Sequence, residues 1–343
     1  MKEKPLRAGV IGLGSMGRNH LRAYQELDGV DLVAASDPDA EVLERALRGR
    51  TVRPYPDYRR LLSEEAPDVV SIVVPTGLHH EVALAALEAG VHVLVEKPVA
   101  SSVEQGKEIA AAARRRGLKA TVGHIERFNP AVAELKRTLD GGSLGRVYQV
   151  NARRVGPFQQ RQRDVGVARD LATHDLDVIR HILDSEVTHL YCHTLTGART
   201  QYEDALLALL GFENGVSAQL DVNWLSPTKV RQLTVLAEHG MLTLDYISQE
   251  LFLYQEAGQP SNWADPAALN VTPEAVNRLP VRKQEPLIAE LQAFVNAVAR
   301  DEEPAVTCED AIVALYLAEE LVESGRTGQV RAVVSPVAGA GDR

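Results

Sequence analysis

The chain lacks the features of an exported, membrane-bound or nucleic-acid-coating protein. Its 343 residues include two cysteines, Cys192 and Cys308, far apart and in unrelated contexts. Neither a disulfide framework nor a thiolate metal site is expected from them. No apolar run approaches the roughly 20 residues that cross a bilayer. The start, Met1-Lys2-Glu3-Lys4-Pro5, passes straight into a strand-like segment without the apolar stretch of a secretory signal. A cytoplasmic chain with no membrane partner is the expectation. Basic charge is in deficit as well: 37 Lys and Arg against 47 Asp and Glu leave a formal net charge of −10. General nucleic-acid binding is thereby disfavoured, because phosphate neutralisation needs a basic surface. There is no internal repeat or low-complexity tract.

What remains is ordinary soluble composition, 45% hydrophobic and 24% charged, in a chain too long for one hydrophobic core. Two domains are expected, residues 1–123 and 124–343. The first alternates strand candidates (7–11, 30–35, a weak one near Val52, 69–74, 91–95, 119–122) with helical patterns. This is the signature of a Rossmann-type, doubly wound parallel sheet of the α/β class. Ser101-Ser102-Val103-Glu104 reads as a capping box before an alanine-rich helix ending at Gly117. The second domain reads as α+β, an antiparallel sheet with helices on one face. Its signals are a helix over 129–139, a strand from Val147, period-two alternation through Tyr254, and Asn214-Gly215 as a type I′ hairpin turn. Residues 255–284 form a long irregular connection.

Chemistry concentrates in a few places. Gly12-Leu13-Gly14-Ser15-Met16-Gly17 follows the first strand and opens a helix, where glycines serve a tight turn, close approach of a pyrophosphate and close helix packing. Asp37 ends the second strand, placed for an adenosine ribose or, alternatively, as a helix cap before Pro38. With Asp39 and Glu41 following and no arginine near, NAD is favoured over NADP. Pro75-Thr76-Gly77-Leu78-His79-His80 ends another strand at the same edge, and His79 is the histidine expected nearer the site. Lys97 arrives at the carboxyl end of the apolar run 91–95, where open α/β sheets bind ligands. An ammonium desolvated beside an oxidised nicotinamide is pushed toward its neutral, proton-accepting form.

Two further patterns stay open. Asp170, His174, Asp177 and His181 share a sector of about 60° on an α-helix, opposite Ala172, Leu176, Ile179 and Leu183. They read as a solvated face, as a metal site, or as an acid/base set in which Asp170 orients His174. Between residues 151 and 169 stand five arginines (Arg153, Arg154, Arg161, Arg163, Arg169) against one acid, Asp164. That island is either a solvated face or a site for an anionic substrate.

On the glycine fingerprint at 12–17, Asp37, Pro75-x-x-x-His79, Glu96-Lys97-Pro98 and Asp170-x-x-x-His174, the chain resembles the family of glucose-fructose oxidoreductase and inositol dehydrogenase over nearly its full length. The resemblance implies a Rossmann domain joined to an open-faced antiparallel sheet, with Lys97, Asp170 and His174 catalytic. Gly12, Gly14, Ser15, Met16, Gly17, Asp37, Pro75, Thr76, His79 and Glu96 would then hold NAD, with no metal. Gly123-His-Ile-Glu-Arg-Phe-Asn-Pro130 and Arg163-Asp-Val-Gly-Val167 look like the UDP-N-acetylglucosamine 3-dehydrogenases of that family. This likeness implies oxidation of a sugar hydroxyl at C3 and makes Arg127, Asn129, Arg154 and Arg163 the candidates for substrate contact. Arg169 departs from the aliphatic residue expected before the aspartate. Competing readings are a dehydrogenase of a free sugar or inositol, a glycosidase that oxidises its sugar transiently with NAD, and a non-catalytic sensor of NAD or nucleotide sugar. An open sheet with an uncovered apolar face would need a partner, so a homodimer or homotetramer is expected.

Overall fold

The computed structural model describes residues 4–158, 165–255 and 275–337. The chain divides into two compact units. The first comprises Met1–Phe128, Glu285–Tyr316 and Pro336–Arg343, and the second Asn129–Gln284 and Leu317–Ser335. The first unit therefore extends past the expected limit at residue 123 and also takes in a later stretch of chain. The reason is compositional: the helix Pro286–Arg300 brings Leu287, Leu291, Phe294 and Val295 into the first unit's core.

In the first unit, strands and helices alternate: β1 (Leu6–Ile11), α1 (Ser15–Glu26), β2 (Val30–Ser36), α2 (Ala40–Leu47), β3 (Arg53–Tyr55), α3 (Tyr58–Glu65), β4 (Val69–Ile72), α4 (Thr76–Glu88), β5 (His92–Val95), α5 (Val103–Arg116) and β6 (Ala120–Val122). All pairings are parallel, in the order β3-β2-β1-β4-β5-β6. The central strands read as continuous apolar runs because both faces are covered. Val70, Ile72, Val93 and Val95 belong to one core with α4 and α5 residues such as Val82 and Ile109. Val69 and Leu94 belong to the other, with Leu21, Tyr24 and Leu43. The cap of α5 falls one residue later than the expected box: Ser102 Oγ accepts from Gln105 N at 3.3 Å, and the Gln105 side chain accepts from Ser101 N at 3.2 Å.

The second unit is a nine-stranded sheet of β7 (Val147–Pro157), β8 (Val187–Thr196), β9 (Glu203–Phe212), β10 (Ser217–Asn223), β11 (Leu225–Ala237), β12 (Gly240–Asp245), β13 (Glu250–Gln255), β14 (Ala275–Arg278) and β15 (Arg331–Ala332), ordered β14-β13-β12-β11-β7-β10-β9-β8-β15. It is not purely antiparallel, since β7 and β10 run parallel. Side chains alternate as a half-covered sheet requires. Val150, Leu206, Leu210, Leu220, Val235 and Leu242 are buried, whereas Tyr191, Leu195, Leu207 and Leu209 are exposed on strands β8 and β9. Helices α6 (Pro130–Asp140) and α7 (Thr173–Leu183) belong to the same unit, as do residues 317–327 of the helix Cys308–Thr327. The β9–β10 turn also differs from expectation. Among the described residues, Gly215 takes a positive φ (80°) but Asn214 does not, and Gly215 N donates to Phe212 O at 3.0 Å. A type I turn followed by a left-handed glycine fits these facts, not type I′. Of the 255–284 connection, residues 256–274 lie outside the described residues, while Ala275–Arg278 adds a strand beside β13. No helix among the described residues is long and apolar enough to cross a membrane.

The loop before β9 is fastened by one buried carboxylate. Asp204 accepts from the amides of Ala198 (2.7 Å), Arg199 (2.8 Å) and Thr200 (3.1 Å) and from the indole N–H of Trp224 at 2.6 Å. Burial alone would raise its pKa, but these donors outweigh it and hold the carboxyl below the usual range. A carboxyl depressed in the fold stabilises fully above the unfolded value of about 3.9 and loses that contribution as pH falls through the folded value. Asp204→Ala leaves several donors without an acceptor and should lower stability by on the order of 3 kcal/mol, read from urea unfolding at neutral pH. An unfolding midpoint equal to wild type would contradict this.

Candidate active site

The carboxyl edge of the parallel sheet gathers the first unit's candidate residues. Between β1 and α1, Gly12 has φ of +92°, and a Cβ there would lie 2.5 Å from Val73 O. At Gly17 a Cβ would sit 1.9 Å from Gly12 O. These two glycines are required by turn geometry and by close packing. Gly14 differs: a Cβ would meet no atom within 4 Å. Gly14 and Ser15 are exposed, Met16 rests against the core, and α1 starts with neither a side-chain cap nor an acidic residue in its first turn. Its first amides and the positive helix end suit a pyrophosphate, and the space over Gly14 lets one approach. The residues present thus fit a dinucleotide.

Asp37 follows β2, and its carboxylate accepts from Leu13 N at 2.8 Å and from Asp39 N at 3.0 Å. One oxygen is tied to the glycine loop, and the helix that follows is capped by Asp39 instead. The cap reading of Asp37 is therefore set aside. Pro75 and Thr76 begin α4 at the end of the β4 segment. His80 pairs with Glu108 at 2.6 Å. His79 is buried, with Nδ1 2.8 Å from Pro98 O and Nε2 2.9 Å from Val74 O. Both its ring nitrogens face backbone carbonyls, so its visible work is to tie the β4 end to the turn after β5. Burial pushes its pKa down, against the pull of the two carbonyls.

That turn carries Glu96, Lys97 and Pro98, with a cis peptide between the last two. Glu96 accepts from Lys97 N at 3.2 Å and meets His20 Nε2 at 3.1 Å. Burial would raise the Glu96 carboxyl, but the His20 contact and the Lys97 charge overcome it, leaving the pKa lowered. His20 is fully buried on α1, one turn beyond Gly17. Sequence reasoning missed it; the available signal was a lone histidine on the apolar stripe of Leu21 and Tyr24.

In the second unit, the expected continuous α-helix opens on a π-helical turn, Ala168–Ala172, before α7. Asp170 stands on that turn and His174 on the first α-helical turn, so the shared sector drawn for a uniform helix does not describe them. Both are half-buried, as is His181, whereas Asp177 is fully buried. π-turns inside helices are rare and cluster at functional sites. Glu203 accepts from Ala168 N at 3.1 Å, fastening the turn to β9, and burial raises its carboxyl pKa. Asp175, also missed, is buried and receives a two-pronged bond from Arg154, at 2.7 and 3.0 Å. An acid beside the apolar stripe was its only mark in the sequence.

The substrate candidates have protein partners. Arg154 is 3% exposed, bound to Asp175, and lies 5.0 Å from the Tyr246 ring centre. Asn129 caps α6 through Ala131 N (3.1 Å) and donates to Tyr246 O (3.0 Å). Arg127 pairs with Asp310 at 3.1 Å in the first unit. Arg163 and Arg161 lie outside the described residues. The rest of the arginine island is compensated, Arg153 by Asp221 at 3.1 Å and Arg169 by Glu319 at 2.8 Å. For Arg153, Arg154 and Arg169 the positive charge is offset in space by acids from distant strands and helices. Among the described residues, no three or more His, Cys, Asp or Glu are grouped to hold a metal ion.

Comparison with known proteins finds two family matches. Residues 6–124 match the oxidoreductase family with an NAD-binding Rossmann fold, and residues 132–243 match the GFO/IDH/MocA C-terminal domain. The UDP-N-acetylglucosamine 3-dehydrogenase of Acidithiobacillus ferrooxidans is 30% identical over 294 residues, covering 86% of this chain and 89% of that protein. A solved structure of the same enzyme superposes with a TM-score of 0.82 at 27% identity, over 95% of this chain and 99% of that one. The scyllo-inositol 2-dehydrogenase (NAD(+)) of Bacillus subtilis is 27% identical over 339 residues, 95% of this chain and 96% of that protein.

The two outer glycines and the central one should separate experimentally. Gly17→Ala drives a methyl into a carbonyl and should cost at least about 3 kcal/mol in stability. Gly14→Ala should keep the melting temperature near wild type yet weaken NAD at least about tenfold by isothermal titration, since its methyl occupies the pyrophosphate approach. Unchanged NAD affinity in a folded Gly14→Ala protein would contradict the cradle.

Proposed function

Because the chain belongs to the Gfo/Idh/MocA family of NAD-binding Rossmann oxidoreductases, we propose that it is an NAD-dependent dehydrogenase that oxidises a sugar hydroxyl to a ketone, at C3 of UDP-N-acetylglucosamine. The observation that carries the choice of substrate is the similarity to the Acidithiobacillus enzyme across most of both chains. Arg153, Arg154 and Arg169 of the arginine island have acidic partners of their own and add nothing to that choice by charge alone. The inositol reading is the alternative, favoured by the Bacillus relative matched over nearly the full length of both chains.

In the proposed reaction, NAD supplies the hydride acceptor. The amides of Ser15 and Met16 would receive its pyrophosphate over Gly14, and Asp37 would accept from the adenosine ribose hydroxyls. Pro75, Thr76 and Glu96 line the cofactor edge. The hydrogen on the sugar carbon would pass with its bonding electron pair to the cofactor while the hydroxyl proton passes to Lys97 or His174, the other of the two donating a hydrogen bond to the oxygen that becomes the carbonyl. Asp170 orients His174 and stabilises its charged form. Arg127, Asn129, Arg154 and Arg163 remain the proposed substrate set, with Arg154 acting through Asp175 on α7.

NADH formation should be measured with UDP-N-acetylglucosamine, free hexoses and myo-inositol. The proposal expects stoichiometric NADH with the UDP-sugar, and a fall in kcat of about 100-fold to 10,000-fold in Lys97→Ala. Activity confined to unphosphorylated compounds would select the inositol reading. Sugar cleavage without net NADH would indicate the glycosidase, and binding without turnover the sensor.

The exposed Tyr191, Leu195, Leu207 and Leu209 on the sheet support a homodimer or homotetramer that covers that face. Sedimentation should show a dimer or tetramer at micromolar concentration. A monomer there would remove this part of the proposal.

A further inference from the structure

We propose that His20 and His79, from two different helices, are positioning residues that clamp the peptide on either side of Lys97 and so fix where its amine points. This rests on the proton-handling role given to Lys97 above.

The two clamps act on adjacent residues of one turn. On the side before Lys97, His20 Nε2 lies 3.1 Å from Glu96 Oε1, and Glu96 Oε2 takes the Lys97 amide at 3.2 Å. An ionised carboxylate only accepts, so the proton of the His20 ring sits on Nε2. The carboxylate has little room to turn away: a Cβ on Gly123 would lie 3.0 Å from its carbon, so this wall is formed by backbone. On the side after Lys97, the His79 ring lies between Pro98 O, 2.8 Å from Nδ1, and Val74 O, 2.9 Å from Nε2; both oxygens only accept, so a neutral ring donates to one of them and a protonated ring to both. His20 is 0% and His79 1% exposed. Both rings are thus withdrawn from solvent, and one nitrogen of each, His20 Nε2 and His79 Nδ1, meets a residue beside Lys97.

The clamp has a direction. His20 stands on α1, the helix that begins at the Gly12–Gly17 loop, so the element that receives the dinucleotide phosphates is joined through one carboxylate to the backbone of the lysine. Displacing a reacting group by about 1 Å can reduce rate by about 100-fold. A purely structural histidine would instead alter stability or cofactor affinity and leave the chemistry of the amine alone.

The test compares His20→Leu and His20→Gln in the full-length protein. Leucine removes the donor, whereas glutamine restores an N–H that reaches Glu96. Two readouts are needed: kcat and KM for NAD with the best sugar, and the rate of acetylation of the Lys97 amine against pH without sugar, quantified by mass spectrometry with and without NAD. His20→Leu should lower kcat by about 10-fold to 100-fold, with KM for NAD changed less than about threefold, and should alter the Lys97 labelling profile. His20→Gln should return both close to wild type, and His79→Ala should alter Lys97 labelling in the same sense as His20→Leu. The proposal fails if folded His20→Leu labels and turns over like wild type, or if its defect lies wholly in KM for NAD. It fails equally if folded His20→Gln loses kcat while Lys97 labels as in wild type. Should His20→Leu not fold, the glutamine variant decides by these criteria. Should wild type reduce no NAD with any sugar, the dehydrogenase reading fails by itself, and the labelling profile still decides on the clamp.

Discussion

A buried carboxylate is costly to desolvate, and Glu96 is tolerated at the end of β5 because His20 and the Lys97 amide both satisfy it. Its placement ties together elements that the sheet alone would leave independent. The glycine loop requires Gly12 and Gly17 to let backbone touch backbone, which brings α1 down onto the edge of the sheet. α1 in turn carries His20 to Glu96. Parallel strands β1, β4 and β5 deliver their carboxyl ends side by side, so the dinucleotide cradle and the lysine turn share one rigid frame.

The second unit uses buried charge in a comparable way. Asp175 immediately follows His174, and its two-pronged bond from Arg154 anchors α7 to β7 at the residue next to the imidazole. Glu203 fastens the preceding π-turn to β9. Such buried pairs add little net stability but are sensitive to the loss of either partner. They serve placement, and they explain why charges that look like ligand-binding groups in the sequence are engaged by the protein.

The sequence displayed the parallel sheet well because β4 and β5 are covered on both faces, which leaves near-continuous apolar runs such as Val91 to Val95, interrupted only by His92. It displayed Gly12 and Gly17 because no other residue fits there. Elsewhere, signals overlapped or were not local. Ser101…Glu104 and Ser102…Gln105 are both capping patterns, and only the second supplies the cap. Asn214-Gly215 suits two turn types that differ in one φ. The π-turn at Ala168–Ala172 breaks the phase on which the Asp170–His174 face was drawn, and no residue type announces it. Three of the island's five arginines have acidic partners, Asp175, Asp221 and Glu319, that lie 21, 68 and 150 residues away along the chain and so escape any local reading. The parallel pairing of β7 with β10 is set by a crossover through α7, β8 and β9, beyond the reach of any local pattern.

The chain thus combines a dinucleotide cradle whose fit rests on three glycines with ionisable residues held by buried partners, in a family of NAD-binding oxidoreductases. The proposed central event is the passage of hydride from a sugar carbon to the cofactor. Its most direct measurement uses UDP-N-acetylglucosamine deuterated at C3, incubated with the protein and NAD, with the reduced cofactor analysed by mass spectrometry. Each NADH formed should carry one deuterium on its nicotinamide ring. NADH without deuterium, or a sugar that retains its deuterium throughout, would contradict it.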